Sequence, residues 1–369
     1  MKRDKPTNYW DYIRVEELLE LQGGLGDGDQ PPNNDEVLFI TVHQIFELWF
    51  LLIRRELTSL RELFDQDEVA EQAMSSAVRG AGRVTTLLKR CADHFEVMET
   101  LTTRDYLGFR DKLMPASGFQ SAQMRQIEIL LGLDDADRLA LGSSENYMEA
   151  LRGHDGSASS AYRNVERERE SGPSLAAVVE RWLYRTPIDG LKPSDAGAEE
   201  ELVSFITRFE AAQHGEVDSS CSIAMARAQS SADHERLKQR YAEEKQSIHD
   251  FLHPDEKAGG ARRQRTRMAA LFILSYRELP LLAWPREVLD GLIELEQAMV
   301  IFRQRHARMV ERVIGKRIGT GGSSGVDYLD QTALKYRIFK DLWSVRTYQI
   351  RESANPALKR EEFYGFRSD

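Results

Sequence analysis

Residues 36–65, with the sequence EVLFITVHQIFELWFLLIRRELTSLRELFD, decide the fold class. The stretch begins almost wholly apolar and becomes amphipathic toward its end. The first residues, VLFITV, could form a strand by themselves, but the whole run is too long and too rich in leucine and glutamate for one. We therefore predict one long helix here.

The same helical spacing recurs along the chain, without a repeat period and without convincing strands. Further helices are predicted at 67–101 (with a break near 79–83), 121–133, 174–187, 199–252 and 285–315. Loops are predicted at 105–121, because of Pro115 and Gly118, and at 253–267, which carries many charges. The expected fold is a single large all-α domain.

Composition excludes several classes of protein. The 369 residues carry a formal charge of -10, whereas nucleic-acid binders usually carry a basic surplus. Two cysteines are too few for a disulfide framework, which favours a reducing compartment. The N-terminal segment has no apolar core of the secretory type, and runs such as MAALFIL (268–274) are too short to span a membrane. We expect a cytoplasmic protein that binds neither nucleic acid nor membranes.

His306 lies within an apolar stripe of the last long helix. The stripe has helical spacing and consists of Leu295, Met299, Phe302, His306, Met309, Val310 and Val313. One interpretation is a core histidine whose ring is hydrogen-bonded to a carbonyl. The other is a metal ligand, because a neutral imidazole in an apolar slot is what haem iron requires.

Other histidines raise the same question. His43 lies in the apolar part of the first long helix, with Glu47 four residues later. A helical di-iron site requires two Glu-x-x-His motifs, and the sequence contains none. His249 and His253 are also four residues apart, but Pro254 and the charged flanks favour a solvated helix end over a zinc site.

A glycine-rich stretch, RIGTGGSSGVDYL (317–329), follows the His306 helix. It is not a Walker A loop, because Lys316 precedes the glycines, and it is not a dinucleotide fold, because no strand precedes it. We predict a loop whose backbone N–H groups and hydroxyls close over a small polar group. A helix cap and connector would explain only one or two of the glycines. Arg110, in YLGFR, is a candidate for bidentate recognition of a carboxylate.

Three long strings resemble the signature blocks of the tryptophan 2,3-dioxygenase family. They are FITVHQIFELWF (39–50), YLGFRDKLMPASGFQSAQMRQIEILLG (106–132) and FRQRHARMVERVIGKRIGTGGSSGVDYL (302–329). VVERWLYRTP (178–187) and SYRELP (275–280) extend the resemblance over nearly the whole chain. It implies an all-helical homotetramer that binds haem b, active as Fe2+, and opens the indole ring of L-tryptophan with O2 to give N-formylkynurenine.

The resemblance also assigns roles by position. His306 is similar to the proximal haem ligand, and His43 to the distal histidine that faces the indole N–H. Phe39 resembles the aromatic residue that flanks the indole. Arg110 matches the arginine that grips the substrate carboxylate, with Tyr106 beside it.

Further assignments concern the loop and the N-terminus. Thr320 matches the glycine-loop threonine that contacts the amino acid end of the substrate. Residues 1–35 are expected to form an arm that reaches a neighbouring subunit's pocket through Tyr9, Tyr12 and Ile13. Residues 36–369 are expected to form the haem-binding catalytic domain, with a charged helical insertion at about 200–260.

Two positions depart from the family pattern. The family usually has Trp-Arg where this chain has Phe302-Arg303, and often has tyrosine where Phe46 stands. Two alternatives to the dioxygenase stay open: a related haem monooxygenase acting on a modified tryptophan, and a non-catalytic haem- or tryptophan-binding sensor. Retention of both His43 and GTGGSSG (319–325) favours the dioxygenase.

Overall fold

In a computed structural model of the chain, the long helix predicted from residues 36–65 extends from Asn34 to Phe64. The Asn33 side chain caps it, since its oxygen accepts a hydrogen bond from the backbone N–H of Glu36 at 2.8 Å. The buried side of the helix consists of Val42, Phe46, Phe50, Ile53, Leu57, Leu60 and Phe64. The prediction of one long helix is confirmed.

The structure describes residues 8–24, 31–114, 118–139, 147–153, 155–317 and 325–365. These ranges contain fourteen α-helices: α1 Tyr9–Tyr12, α2 Val15–Leu19, α3 Asn34–Phe64, α4 Glu71–Met98, α5 Thr103–Leu113, α6 Ala122–Leu131, α7 Ser160–Arg169, α8 Leu175–Arg185, α9 Ala198–Arg227, α10 Ser231–Leu252, α11 Gly260–Ser275, α12 Ala283–Ile314, α13 Val326–Lys335 and α14 Lys340–Thr347. Within them, β structure is limited to an isolated bridge between Ile188 and Leu191. The predicted all-α fold is confirmed.

Helix α4 packs between α3 and α12, and these three long helices organise the domain. Two small residues allow α4 to approach both neighbours closely. A Cβ atom at Gly80 of α4 would lie 3.3 Å from Leu60 Cδ1 of α3. On the other side, a Cβ atom at Gly291 of α12 would lie 3.5 Å from Ala81 Cβ of α4. Glycine is therefore used where helix surfaces meet.

This packing explains why the predicted break at 79–83 is wrong. α4 is continuous from Glu71 to Met98. Glycine in a helix costs about 1 kcal/mol relative to alanine, which by itself favours an interruption. Here Gly80 is buried against α3, so packing between the helices compensates for the poor local propensity.

The predicted loop at 105–121 is wrong in its first part. Residues Thr103–Leu113 form α5, capped by Thr102, whose Oγ1 accepts from the Asp105 N–H at 3.2 Å. Tyr106 and Phe109, one helical turn apart, are both buried. Arg110 therefore projects from a helix.

The predicted mobile segment at 253–267 is also largely helical. α11 begins at Gly260, and its arginines are held by partners within the fold. Arg263 Nε donates to Asp341 Oδ2 at 2.8 Å, and Arg267 Nη2 donates to Asp341 Oδ1 at 3.0 Å. The high charge of this segment reflects ion pairs, not a solvated loop.

Helices α9 and α10 form a hairpin in the region predicted as an insertion. The first half of α9 belongs to the main core through Leu202, Phe205, Ile206 and Phe209. Residues 218–247, at the far end of the hairpin, contain no buried side chain in this fully described range. The boundaries of an insertion at about 200–260 stay a prediction.

Helix α3 is long and apolar enough to cross a membrane, judged by length and composition alone, and it is the one such helix among the described residues. The expectation that apolar runs are too short for a span is therefore wrong for this stretch, where Glu47 is the one charged residue between 37 and 53. Part of its surface packs in the core, as a helix of a soluble protein also does. The absence of a membrane partner stays a prediction.

Replacing Gly80 with valine should destabilise the fold by about 1–3 kcal/mol, because the added atoms push α4 away from Leu60. The free energy of unfolding, measured by urea denaturation with circular dichroism, checks this. Gly82→Ala is the matched control on the same helix. No atom lies within 4 Å of a Cβ there, so this change should stabilise the protein by up to about 1 kcal/mol. Equal effects at the two glycines would contradict the packing argument.

Candidate functional site

A cavity of about 240 Å³ lies among α3, α4, α5, α6, α12 and α13. Apolar and aromatic side chains form most of its wall, and a few polar groups converge on it. Its lining includes His43, Phe46, Glu47, Phe95, Tyr106, Ser121, Arg125, Phe302, Arg303 and His306. Such a composition is typical of a small-molecule or cofactor site.

His306, on α12, presents a neutral imidazole to this cavity. Burial, with smaller contributions from the neighbouring His43 imidazole and the Arg303 guanidinium, lowers its pKa to about 4. The Phe95 ring lies parallel to the imidazole, with ring centroids 5.3 Å apart. Within the described residues no hydrogen bond reaches the His306 ring, so they do not form the carbonyl-bonded core histidine that the sequence left open.

His43, on α3, is the second imidazole at the cavity. Its Nδ1 lies 2.7 Å from the carbonyl oxygen of Phe39. A carbonyl can only accept, so Nδ1 carries the hydrogen and Nε2 is left as an acceptor. Burial lowers the pKa of His43 more than the Phe39 bond and the nearby Glu47 raise it. The side chain is therefore a neutral hydrogen-bond acceptor.

Phenylalanine rings connect the two histidines. The Phe46 ring lies 6.4 Å from His43 and 4.9 Å from Phe95, which stacks on His306. Phe302 lies 5.3 Å from Phe95 and 6.3 Å from Phe46. Both imidazoles therefore adjoin one wall of aromatic rings, which favours their uncharged forms, although the His43 residue is also exposed to solvent in the single chain.

A buried carboxylate beside the cavity holds three arginines. Glu128 accepts hydrogen bonds from Arg125 at 2.8 Å, Arg138 at 2.6 Å and Arg303 at 2.8 Å. Burial raises the pKa of Glu128, but the three guanidinium groups outweigh it and lower the pKa to about 2. Asp135 also forms an ion pair with Arg138, with its Oδ1 3.0 Å from the arginine Nε. A positive surplus remains beside the wall formed by Arg125 and Arg303.

Tyr106 brings Arg110 to the edge of the cavity. Tyr106 lines the cavity, and the Arg110 side chain forms a hydrogen bond with it. The Phe39 ring lies next to these groups. Its centroid is 4.1 Å from that of the His43 ring and 6.2 Å from that of the Tyr106 ring. The structure thus groups four of the residues assigned from the sequence, His43, Phe39, Tyr106 and Arg110, although Phe39 and Arg110 are not part of the cavity lining.

Comparison of the sequence with known proteins assigns this chain to a family. The family model described as tryptophan 2,3-dioxygenase matches residues 2–349. The chain is 55% identical to "Tryptophan 2,3-dioxygenase" of Sorangium cellulosum (strain So ce56), over 98% of this chain and 88% of that protein. It is 47% identical to "Tryptophan 2,3-dioxygenase 2" of Ralstonia nicotianae, over 99% of both. It is also 48% identical to "Tryptophan 2,3-dioxygenase-like protein" of Xanthomonas campestris, over 72% of this chain and 98% of that protein.

The chain belongs to the tryptophan 2,3-dioxygenase family. The resemblance carried by the three sequence blocks is confirmed, and so is the all-helical fold that it implies. Membership in the tryptophan 2,3-dioxygenase family also implies a haem cofactor.

The cavity residues suit a haem group. The neutral His306 imidazole is the form that coordinates iron. The phenylalanine wall suits the apolar face of a porphyrin. The positive surplus at Arg125 and Arg303 suits the carboxylates that haem carries, which would otherwise be buried without compensation.

Sequence reasoning missed part of this site. Ser121 Oγ donates to Glu47 Oε1 at 2.6 Å, and Gln123 Nε2 donates to Glu47 Oε2 at 2.9 Å. Ser121 is recognisable in the sequence as a helix cap, and it does cap α6. Its second role, holding Glu47 of a distant helix at the cavity, leaves no signal in the local pattern. The same is true of the partnership between Glu128 and Arg303, which lie 175 residues apart.

Two other assignments concern the glycine-rich loop and the N-terminal arm. Thr320 and most of the glycine-rich loop lie outside the described residues, so the loop stays a prediction. The arm residues are exposed in the single chain, with 75% of Tyr9, 70% of Tyr12 and 43% of Ile13 accessible.

Proposed function

We propose that this protein cleaves the 2,3-bond of the indole ring of L-tryptophan, using haem and O2, and releases N-formylkynurenine. Both oxygen atoms of O2 enter the product. Family membership over nearly the whole chain supports the reaction. The single structural observation that carries the proposal is the pair of neutral imidazoles, His43 and His306, on one aromatic cavity.

His306 is the residue that would hold the haem iron, as its proximal ligand, with haem b in the Fe2+ state as the active form. Bound iron would supply the site at which O2 is activated. Phe95, stacked on the imidazole, restrains the ring orientation. Arg125 and Arg303 would face the haem carboxylates. Phe302, where the family usually has tryptophan, changes the shape of the wall without removing any of these groups.

His43 would position the substrate. Its Nε2 is an acceptor because Nδ1 donates to the Phe39 carbonyl, so it can receive the indole N–H. The backbone bond also fixes the ring on α3. Phe39 and Phe46 supply apolar surface beside it for the indole ring.

Arg110 would recognise the substrate carboxylate. A guanidinium group binds a carboxylate through two parallel hydrogen bonds, and Tyr106 holds this guanidinium next to the cavity. Thr320, on the glycine-rich loop, would contact the amino acid end. The loop would then close over the bound substrate and exclude water.

The oligomer and the location are also proposals. The exposed apolar side chains of the arm, and of Leu48, Leu51 and Leu52 on α3, support a homotetramer in which residues 1–35 reach a neighbouring subunit. Sedimentation of the protein as a monomer would contradict this. Both cysteines are free, which supports a cytoplasmic location; recovery of the native protein outside the cytoplasm would speak against it.

The product of a single incubation separates the proposed reaction from the two alternatives. Reduced, haem-loaded protein supplied with L-tryptophan and air should consume one O2 per tryptophan and form N-formylkynurenine, followed by its near-ultraviolet absorption. A 2-oxindole product with one added oxygen atom would indicate the monooxygenase. Binding of tryptophan without oxygen consumption would indicate a sensor.

His306→Ala should give folded protein that no longer retains stoichiometric haem, because the iron loses its protein ligand. Haem content and the Soret spectrum measure this, and circular dichroism verifies the fold. His43→Ala is the matched control, which should keep its haem and lose part of its turnover rate. The reverse pattern, with haem lost only from His43→Ala, would exchange the two roles.

Arg110→Ala should lower kcat/KM for L-tryptophan by the equivalent of about 2–5 kcal/mol, since a charge-assisted pair with the carboxylate is lost. Arg110→Lys should also be impaired, because lysine keeps the charge but lacks the planar fork. The penalty should shrink for an indole analogue without a carboxylate. An equal loss on both substrates would make Arg110 a structural residue.

A further inference from the structure

Three metal-ligating side chains meet on the α9–α10 hairpin, outside the cavity. His249 and His253 lie one turn apart at the end of α10, with ring centroids 4.4 Å apart. Glu210 of α9 reaches both: its Oε1 lies 2.8 Å from His249 Nδ1, and its Oε2 lies 3.1 Å from His253 Nε2. Donor atoms of all three residues lie within 4.8 Å of one another.

We propose that Glu210, His249 and His253 form a binding site for a divalent transition metal of the zinc type. Zinc takes histidine nitrogens and carboxylate oxygens at about 2.0–2.2 Å, which places tetrahedral donors roughly 3.3–3.5 Å apart. The two observed nitrogen–oxygen separations, 2.8 and 3.1 Å, involve different oxygens of Glu210 and need a small expansion to reach this spacing. The two histidine nitrogens lie within 4.8 Å of each other and must take the same spacing around the ion. Two imidazoles with one carboxylate also disfavour Ca2+ and Mg2+, which prefer oxygen ligands.

The surroundings favour metal binding. Burial raises the pKa of Glu210, but the hydrogen bonds from the two histidines outweigh it and leave the pKa below its ordinary value, so the carboxylate is charged. Half of the His249 side chain and a third of the His253 side chain are exposed, which leaves the site open to ions and to a water molecule as a fourth ligand.

Gln264 of α11 sets one condition on binding. Its Nε2 donates to the Leu252 carbonyl at 2.7 Å and lies 3.2 Å from His253 Nδ1. A metal on His253 Nε2 places the ring hydrogen on Nδ1, so Gln264 must give up the longer of these two contacts. Gln264 keeps its shorter hydrogen bond, to the Leu252 carbonyl, which holds its side chain against the end of α10.

A metal at this position would fix the base of the hairpin. Glu210 lies in the part of α9 that continues the core, whereas His249 and His253 end the helix that returns from the exposed tip. Coordination would tie the two helices together and stabilise the hairpin by binding the folded state alone.

Zinc binding to the haem-loaded protein tests the proposal. After removal of metals with a chelator, equilibrium dialysis against Zn2+ and elemental analysis should find one zinc per chain, and zinc should raise the melting temperature. His249→Ala and Glu210→Gln should each lower zinc affinity by about tenfold or more, since each removes a ligand. Glu210→Gln keeps the size of the side chain, so its result stands even if the histidine variant folds poorly.

His234→Ala is the matched control. His234 lies near the start of the same helix, away from Glu210, His249 and His253. Its Nδ1 is 2.8 Å from the carbonyl oxygen of Ser230, four residues earlier. This variant should bind zinc as the wild type does. Wild-type protein that binds no zinc would overturn the proposal. So would Glu210→Gln and His249→Ala variants with unchanged zinc affinity.

Discussion

The bond between Glu128 and Arg303 fixes the rotation of α12, and the site depends on that rotation. Glu128 is almost completely buried and is also paired with Arg125 and Arg138. The largely buried Arg303 is therefore the charge that would be left without an ionic partner among the described residues if this bond were lost. Arg303 can pair with Glu128 only if the face of α12 that carries Arg303 is turned toward α6. His306 lies three residues later on nearly the same face. The ion pair that neutralises Arg303 therefore also directs the imidazole into the cavity.

The sequence predicted the fold where one helix face alone determines the outcome. The regular apolar stripe of α12 identified that helix, and the length and the leucine and glutamate content of its segment identified α3. The predictions failed where a residue on another helix determines the local structure. Gly80 suggests a break until Leu60 of α3 packs against it. The arginines of α11 suggest a solvated loop until Asp341 is found beside them. Neither partner is close in sequence.

The residues of the site also differ in whether the sequence alone could identify them. His306 and His43 could be selected from the sequence, because a histidine in an apolar stripe is unusual whatever packs against it. Arg110 was a weaker candidate, and the resemblance supported it and added Tyr106, which the structure places in contact with it. Residues that act by holding another residue, such as Ser121, could not be selected. Their function depends on a helix that is distant along the chain.

Histidine chemistry in this protein is decided by what the neighbouring helix supplies. In the sequence, His306 and the His249–His253 pair are all helical histidines with an ambiguous role. Phe95 and the other rings that face His306 remove water and leave a neutral imidazole, which suits an iron that already carries the charge of a porphyrin. Glu210 instead gives the exposed pair a negative charge, which suits a bare divalent cation with no charged ligand of its own. If both proposals hold, the residues packed against each histidine determine which kind of metal it binds.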